Sequence, residues 1–155
     1  MPIGFCWILE KKLAGAGRPG LTHDIMDDYN YYKNLGISFI VNLTERRVSP
    51  SPDEYGFREE HFPIRDMSTP KLEETFFLCQ RILNAIAEGE IALLHCKAGL
   101  GRTGTVLACC LISKGKTAIE ALDYIRIRNR GYIQTLEQED FLVEYELYHK
   151  SKSLC

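Results

Sequence analysis

The chain has 155 residues, of which 45% are hydrophobic and 26% charged, and its formal net charge is −2. This composition is typical of one globular domain over residues 1–155 and argues against a disordered chain. The slight acidity disfavours a nucleic-acid partner, and no apolar run approaches the roughly 18 residues that a membrane span requires.

The N-terminal part alternates predicted strands with one helix. A short strand is expected over residues 4–8, and the glycines and proline of residues 15–20 predict a loop. A helix follows over residues 23–35, ended by a glycine. The nearly continuous apolar run at 37–43 is typical of a buried strand, and residues 57–64 indicate another.

A second helix is predicted to begin beside Thr69 and Pro70, since threonine is a common N-cap and proline fits the first helical position. Its apolar residues fall on one face, and Gly89 ends it. The apolar residues 91–94 predict a strand, which leads through a glycine-rich loop into a helix ending near Ser113.

Two capping boxes predict the last helices, one formed by Thr117 with Glu120 and one by Thr135 with Gln138. These helices are expected to end near Arg128 and His149. Because strands alternate with helices, the predicted fold class is α/β, with a mostly parallel central sheet flanked by helices.

The loop after the predicted strand at 91–94 carries the motif that points to chemistry, HCKAGLGRTG. In α/β folds, ligands bind beyond the carboxyl ends of strands, and a helix N-terminus there attracts anions. The glycines let successive backbone N–H groups converge on one point. The sequence therefore predicts a phosphate-binding loop whose residues are Lys97, Ala98, Gly99, Leu100, Gly101 and Arg102.

Each polar residue of this loop has an expected role. Cys96 begins the loop beside a helix N-terminus and a guanidinium, where a thiol ionises more readily and becomes a nucleophile. Arg102 is suited to hold two phosphate oxygens at once. Thr103 is placed to donate a hydrogen bond to the cysteine sulfur, and His95 to orient the loop through its backbone.

Taken singly, a cysteine after a strand is usually a small core residue, and a glycine-rich turn is often only a turn. The coincidence of cysteine, glycines, arginine and threonine between a strand and a helix favours catalysis. A thiolate that accepts a phosphoryl group also needs a proton donor for the leaving oxygen. Asp66, on a loop before the second helix, is the candidate.

HCKAGLGRTG matches the Cys-x5-Arg-Ser/Thr signature of the protein tyrosine phosphatase superfamily. The chain resembles the small atypical dual-specificity phosphatases, nearest the dual specificity protein phosphatase 23 type, and its loop resembles that of the Cdc14 phosphatases. The similarity continues over nearly the whole chain, through the segments FCWI and LAG near the N-terminus, NLTER after the second predicted strand, and TLEQE at the last helix.

The resemblance implies a protein tyrosine phosphatase-like fold and a two-step reaction. Cys96 would form a phosphocysteine, Asp66 would act as acid and then as base, and Arg102 would bind the phosphoryl oxygens. The superfamily often has a water-positioning residue in the region of Gln134, and Gln138 falls in the same region. The implied substrate is a phosphorylated protein, either at tyrosine alone or also at serine and threonine.

Several alternatives remain open at this stage. A lipid phosphatase would favour a more basic loop, and an RNA 5′-phosphatase would need a basic track. A phosphate-binding module without turnover would be expected to lack one of the three catalytic residues, and a rhodanese-like sulfur transferase fits the spacing poorly. We expect no metal or other cofactor, a monomer, and no membrane partner. The cysteine pattern, without zinc spacing or a secretion signal, favours a reducing cytoplasmic or nuclear compartment.

Overall fold

The computed structural model describes residues 1–153, so Leu154 and Cys155 lie outside the described part of the chain. Five strands form one sheet in the order β1-β2-β5-β3-β4. β1 pairs antiparallel with β2, and the other three pairings are parallel, which confirms the mostly parallel sheet. The strands are β1 Cys6–Leu9, β2 Leu13–Ala16, β3 Phe39–Asn42, β4 Arg58–His61 and β5 Ala92–His95.

Helices cover both faces of this sheet. They are α1 Ile25–Asn34, α2 Leu72–Ala87, α3 Gly101–Ser113, α4 Ala118–Arg128 and α5 Leu136–Ser153, with a short 3-10 turn at Pro52–Tyr55. Alternate residues of each strand point to opposite faces. Ile40 and Leu93 therefore pack against α1, whereas Phe39, Val41 and Leu94 pack against the layer that contains α2 and α3. The α/β fold class is confirmed.

The register brings three strand ends together at one edge of the sheet. Ala16, the last residue of β2, and Asn42, the last residue of β3, both pair with His95 at the end of β5. The chain leaves all three strands at this edge, where ligand sites form in open parallel sheets. The segments that follow these strands begin at Gly17, Leu43 and Cys96.

The prediction of a loop over residues 15–20 was wrong in part, because β2 extends through Leu13–Ala16. Gly15 lies within this strand, where a β-carbon would approach the side chain of Leu107 to 2.9 Å and that of Thr103 to 3.0 Å. The glycine therefore permits α3 to pack closely on the strand, which is a known use of glycine in sheets.

The predicted N-cap at Thr69 was also wrong, because α2 begins at Leu72 with Lys71 as its N-cap. Lys71 keeps an extended backbone, and its carbonyl accepts bonds from both the backbone N–H and the hydroxyl of Thr75. The carbonyl of Lys71, the residue after Pro70, thus accepts the first hydrogen bond of the helix. The proline itself precedes the helix.

The two predicted capping boxes are present. Thr117 and Glu120 cap α4 reciprocally, and the Thr135 hydroxyl accepts a bond of 3.0 Å from the Gln138 backbone N–H. α5 continues to Ser153, four residues beyond the predicted end at His149. None of the five cysteines within residues 1–153 forms a disulfide. In the same range, no helix is long and apolar enough to cross a bilayer.

Candidate active site

The loop that follows β5 is held tightly against the end of β2. Cys96 is only 3% exposed and comes directly after the strand. Gly99 has a φ of +83°, and a β-carbon on it would lie 2.6 Å from the carbonyl carbon of Ala16. Any other residue would therefore meet both an unfavourable backbone conformation and a backbone clash. The glycine fixes the course of the loop.

The backbone N–H groups of this loop are available to a ligand. Within the described part of the chain, none of the seven N–H groups of residues 97–103 donates a hydrogen bond to a protein acceptor. Residues 101–103 form the first turn of α3, where the helix dipole places partial positive charge. Loop and helix together have the arrangement that the predicted anion site would require.

Arg102 is 4% exposed, and acceptors from two other segments hold its guanidinium. Its Nη1 donates to Glu45 Oε1 at 2.9 Å and to the carbonyl of Ile64 at 3.1 Å. Its Nη2 lies 3.4 Å from Asp66 Oδ1. The arginine is thus already oriented beside the loop, and its charge is balanced by two carboxylates.

Asp66 occupies an exposed turn between β4 and α2. The Ser68 N–H donates to the carbonyl of Arg65 at 3.0 Å, and Met67 has a φ of +63°. The Asp66 side chain is 64% exposed, and one of its oxygens also accepts from the Met67 N–H at 2.9 Å. The structure therefore places the predicted acid, Asp66, beside Arg102 of the loop, although the two residues are distant in sequence.

A cavity of about 220 Å³ opens on the loop. Its walls come from the turn, the loop and the segment before α5, and consist of Asp66, Met67, Cys96, Lys97, Ala98, Leu100, Gly101, Arg102 and Gln134. A larger groove of about 470 Å³ lies beside it and shares Asp66, Lys97 and Arg102. In residues 1–153 no three His, Cys, Asp or Glu side chains gather as a metal site would need.

His95 lies beneath the loop and is fully buried. Its Nδ1 is 3.4 Å from the carbonyl of Cys96, which agrees with the expected backbone contact. Burial lowers the pKa of His95 from 6.5 to about 3, so the imidazole is neutral at pH 7. The Thr103 hydroxyl is buried too, and it makes no hydrogen bond to Cys96 or to any other described residue.

Gln134 and Gln138 have different positions. Gln134 lies in the cavity wall, with its Oε1 close to Gly101. Gln138 is buried, and its Oε1 accepts from the N–H groups of Gln134 at 2.8 Å and Thr135 at 3.3 Å. Gln138 thus fixes the backbone of the segment that carries Gln134.

The sequence prediction assigned no role to Glu45 or Arg18, and the structure places both at the site. Glu45 contacts Arg102, and the Arg18 guanidinium donates to the Thr44 hydroxyl at 2.9 Å. Both residues follow the carboxyl ends of parallel strands, β3 and β2. That position is the sequence signal that identifies candidates of this kind.

Residues 14–116 match the protein family described as "Polymorphic toxin system, DSP-PTPase phosphatase". The match covers more than half of the chain and includes β5, the loop that begins at Cys96, and α3.

The chain belongs to the dual-specificity phosphatase family.

Known relatives of this dual-specificity phosphatase agree with the assignment. Cyclin-dependent kinase inhibitor 3 of Rattus norvegicus is 33% identical over 92% of this chain and 71% of the relative. Dual specificity protein phosphatase CDC14B of Mus musculus is 34% identical over 90% of this chain, which spans only 30% of that protein. The enzyme is thus a protein phosphatase, and its nearest subtype, predicted as the dual specificity protein phosphatase 23 type, stays a prediction.

Solved structures show the same fold. The crystal structure of Tk-PTP in its active form has a TM-score of 0.81 and 27% identity, over 92% of this phosphatase and 96% of that chain. Kinase associated phosphatase, with its catalytic-site cysteine replaced by serine, has a TM-score of 0.83 at 23% identity, over 97% and 98% of the two chains. The predicted protein tyrosine phosphatase-like fold is therefore confirmed.

Proposed function

We propose that this phosphatase hydrolyses phosphotyrosine, and also phosphoserine and phosphothreonine, in proteins through a phosphocysteine on Cys96. One observation carries the proposal. A buried cysteine begins a loop whose N–H groups at 97–103 have no partner in the described chain, and Arg102 is oriented at its end. These donors suit the three oxygens of a phosphoryl group, which would bring phosphorus next to the sulfur.

In the first step, the Cys96 thiolate attacks phosphorus and the bond from phosphorus to the leaving oxygen breaks. Backbone donors and Arg102 stabilise the charge on the phosphoryl oxygens. The protonated carboxyl of Asp66 gives its proton to the leaving oxygen, so the product leaves as a neutral alcohol or phenol. Asp66 is well placed for this transfer, because it lines the cavity and its side chain is exposed.

In the second step, water attacks the phosphocysteine, and the bond from phosphorus to sulfur breaks. Asp66, now a carboxylate, takes the proton from water, which restores its acid form. Gln134 lies in the cavity wall and would orient this water, while Gln138 holds its backbone. The unpartnered hydroxyl of Thr103 would rotate to donate to the departing sulfur.

The whole of residues 1–155 is proposed to act as one catalytic domain, as a monomer in the cytoplasm or nucleus. A cavity of about 220 Å³ with an exposed acid turn supports action on short phosphoserine and phosphothreonine side chains besides phosphotyrosine. Every step of the proposed reaction is assigned to a group of the protein itself, so we expect activity without added metal.

The deciding experiment is hydrolysis of para-nitrophenyl phosphate and of a phosphotyrosine peptide in the presence of a chelator. Cys96→Ser is expected to abolish turnover, and Cys6→Ser, a partly exposed cysteine outside the cavity, serves as the matched control. Acid quenching of the unmutated enzyme during turnover should trap a phosphoryl group on Cys96. Activity that survives Cys96→Ser, or a folded unmutated enzyme that binds phosphopeptides without releasing phosphate, would overturn the proposal.

A further inference from the structure

Arg18 carries a positive charge that no carboxylate balances. Its guanidinium donates to three neutral oxygens: the Thr44 hydroxyl at 2.9 Å and the carbonyls of Arg46 at 3.3 Å and Arg47 at 2.8 Å. Among residues 1–153, no acidic side chain lies within ion-pair distance of it. Arg102 differs in this respect, because Glu45 and Asp66 both contact it.

The Arg18 guanidinium also has donors to spare. An arginine side chain has five N–H donors in a fixed fork. Nη1 uses its two on Thr44 and Arg46, and Nη2 uses one on Arg47. The Nε–H and one Nη2–H therefore have no acceptor in the described chain. Because the other three bonds hold the fork in place, these two donors are fixed before any ligand arrives.

Arg18 shares its groove with further unbalanced cations. The groove of about 470 Å³ is lined by Arg18, Arg46 and Lys97, together with Thr44 and the ion-paired group of Arg102, Glu45 and Asp66. The Arg46 and Lys97 side chains are exposed, and neither has a carboxylate partner within the described residues. Four cations thus face two carboxylates, and the groove carries an excess of positive charge.

The groove adjoins the phosphate loop directly. The Arg18 backbone N–H donates to the carbonyl of Lys97 at 2.9 Å, which joins the end of β2 to the loop. Asp66, Lys97 and Arg102 belong to the walls of both the groove and the reaction cavity. A ligand in the groove would therefore lie next to the phosphoryl group in the cavity.

We propose that this groove, named the Arg18 groove for its residues Arg18, Arg46 and Lys97, is a second anion site that selects protein substrates by an acidic neighbour. The preferred substrate carries a phosphoryl or carboxylate group close in sequence to the phosphorylated residue being hydrolysed. An extended peptide advances about 3.3 Å per residue, so the anion belongs within the next few positions. This inference rests on the proposed function of the reaction cavity.

The test compares peptides that differ only beside the phosphotyrosine. One peptide has alanine at the neighbouring positions, a second has glutamate there, and a third has a second phosphorylated residue. We expect kcat/KM to rise about three- to tenfold with the acidic neighbour, in line with one or two exposed charge pairs. The preference should shrink as ionic strength rises from about 0.05 M to 0.5 M, because salt screens exposed charges.

Arg46→Gln removes one groove cation without touching the backbone bonds of Arg18. We expect it to lower the ratio of kcat/KM between the acidic and the alanine peptides to about half or less. The ratio is taken within each variant, so a general loss of folded enzyme does not affect it. Arg47→Gln is the matched control, because its side chain points to Glu59 outside the groove, and it should keep the unmutated ratio.

Each failure has a distinct pattern. If the alanine peptide is hydrolysed but the acidic peptides are no better, the Arg18 groove is not a substrate site and the proposed function still holds. If no phosphopeptide is hydrolysed, the proposed function itself is wrong. Faster release of phosphate from vesicles containing phosphatidylinositol phosphates than from any peptide would overturn the assignment of the groove to protein substrates.

Discussion

The phosphate loop at residues 96–102 and the acid turn at residues 65–68 meet at Arg102 but are built in opposite ways. The loop joins a buried strand to a buried helix, and it passes so close to the end of β2 that a β-carbon on Gly99 would lie 2.6 Å from the backbone of Ala16. The acid turn is exposed, with Met67 51% accessible. The parts proposed to bind phosphate are thus held in place by the fold, whereas the turn that carries the proposed proton donor is held by a few bonds.

Gly99→Ala tests the phosphate loop, the region held in place by the fold, and should have the largest effect of the changes considered. The new β-carbon would lie 2.6 Å from the backbone of Ala16, so the loop has to move. We expect a loss of about 3 kcal/mol or more in the free energy of unfolding, together with most of the activity. Urea unfolding and para-nitrophenyl phosphate turnover measure the two effects.

Gly89→Ala is the control for that change, since Gly89 also has a positive φ but has no atom within 4 Å of an added β-carbon. It should cost only about 1 kcal/mol, the price of the backbone conformation alone. Equal losses in the two variants would mean that the close contact with Ala16 does not constrain the loop.

Asp66→Asn tests the other region, where the expected change is in rate and not in stability. Without a proton donor, kcat should fall about 100-fold or more for aryl phosphates with poor leaving groups. The loss should be smaller for para-nitrophenyl phosphate, whose phenolate leaves readily. Because the side chain is 64% exposed, the free energy of unfolding should change by less than about 0.5 kcal/mol.

The matched control is Asp123→Asn, an exposed acid on α4 away from the cavity. It should leave the dependence on leaving group unchanged. A uniform loss across all leaving groups in Asp66→Asn would contradict its role as the acid and would suggest that it acts on Arg102 instead.

His95 gives the fixed region a characteristic pH dependence. Its pKa is about 3 in the folded protein and about 6.5 when unfolded, so only the unfolded chain gains the proton in this range. The stability due to neutral His95 is complete above about pH 6.5 and is lost as the pH falls toward 3. Between pH 7 and pH 5 we expect a loss of up to about 2 kcal/mol.

His95→Asn should flatten this dependence, whatever its stability at pH 7. His23→Asn, which removes a half-exposed histidine, should keep the slope of the unmutated chain. The measurement is urea unfolding at half-unit steps of pH. An unchanged slope in His95→Asn would show that another group controls acid unfolding.

Met67→Gly should have the smallest effect and tests the strain in the acid turn. Met67 has a φ of +63°, which glycine adopts without cost and other residues do not. Met67→Ala keeps the conformational cost and removes the same long side chain. We expect Met67→Gly to be about 1 kcal/mol more stable than Met67→Ala, measured by thermal unfolding. Equal stability of Met67→Gly and Met67→Ala would mean that the backbone at position 67 is not strained.

The same contrast explains what the sequence could predict. The phosphate loop could be predicted because its cysteine, glycines and arginine lie within one short segment, where spacing has a direct geometric meaning. Asp66 was predicted because the chemistry needs an acid and because of the family resemblance, and its role as the acid stays a prediction. Glu45 and Arg18 were missed, because their contacts join segments that meet only when β2, β3 and β5 end at one edge.

The errors in the fold have a similar origin. The glycines and the proline of residues 15–20 predicted a loop, and the sequence LAGA at Leu13–Ala16 contains few of the residues that favour strands. Its place beside β5 and beneath α3 makes it a strand, and packing there requires the small Gly15. At Thr69, the local cap signal was present, but Lys71 satisfies the first turn of α2 instead.

The carboxylates of Glu45 and Asp66, which contact Arg102, also affect the release of product. A phosphate ion bound as proposed would have to compete with Glu45 and Asp66 for the guanidinium, and the same carboxylates could return when hydrolysis is complete. When Glu45 and Asp66 replace the departing phosphate, the buried guanidinium of Arg102 keeps a counter-ion. Release of inorganic phosphate therefore costs less free energy. The arrangement should therefore weaken product inhibition and let the empty enzyme return quickly to its next substrate.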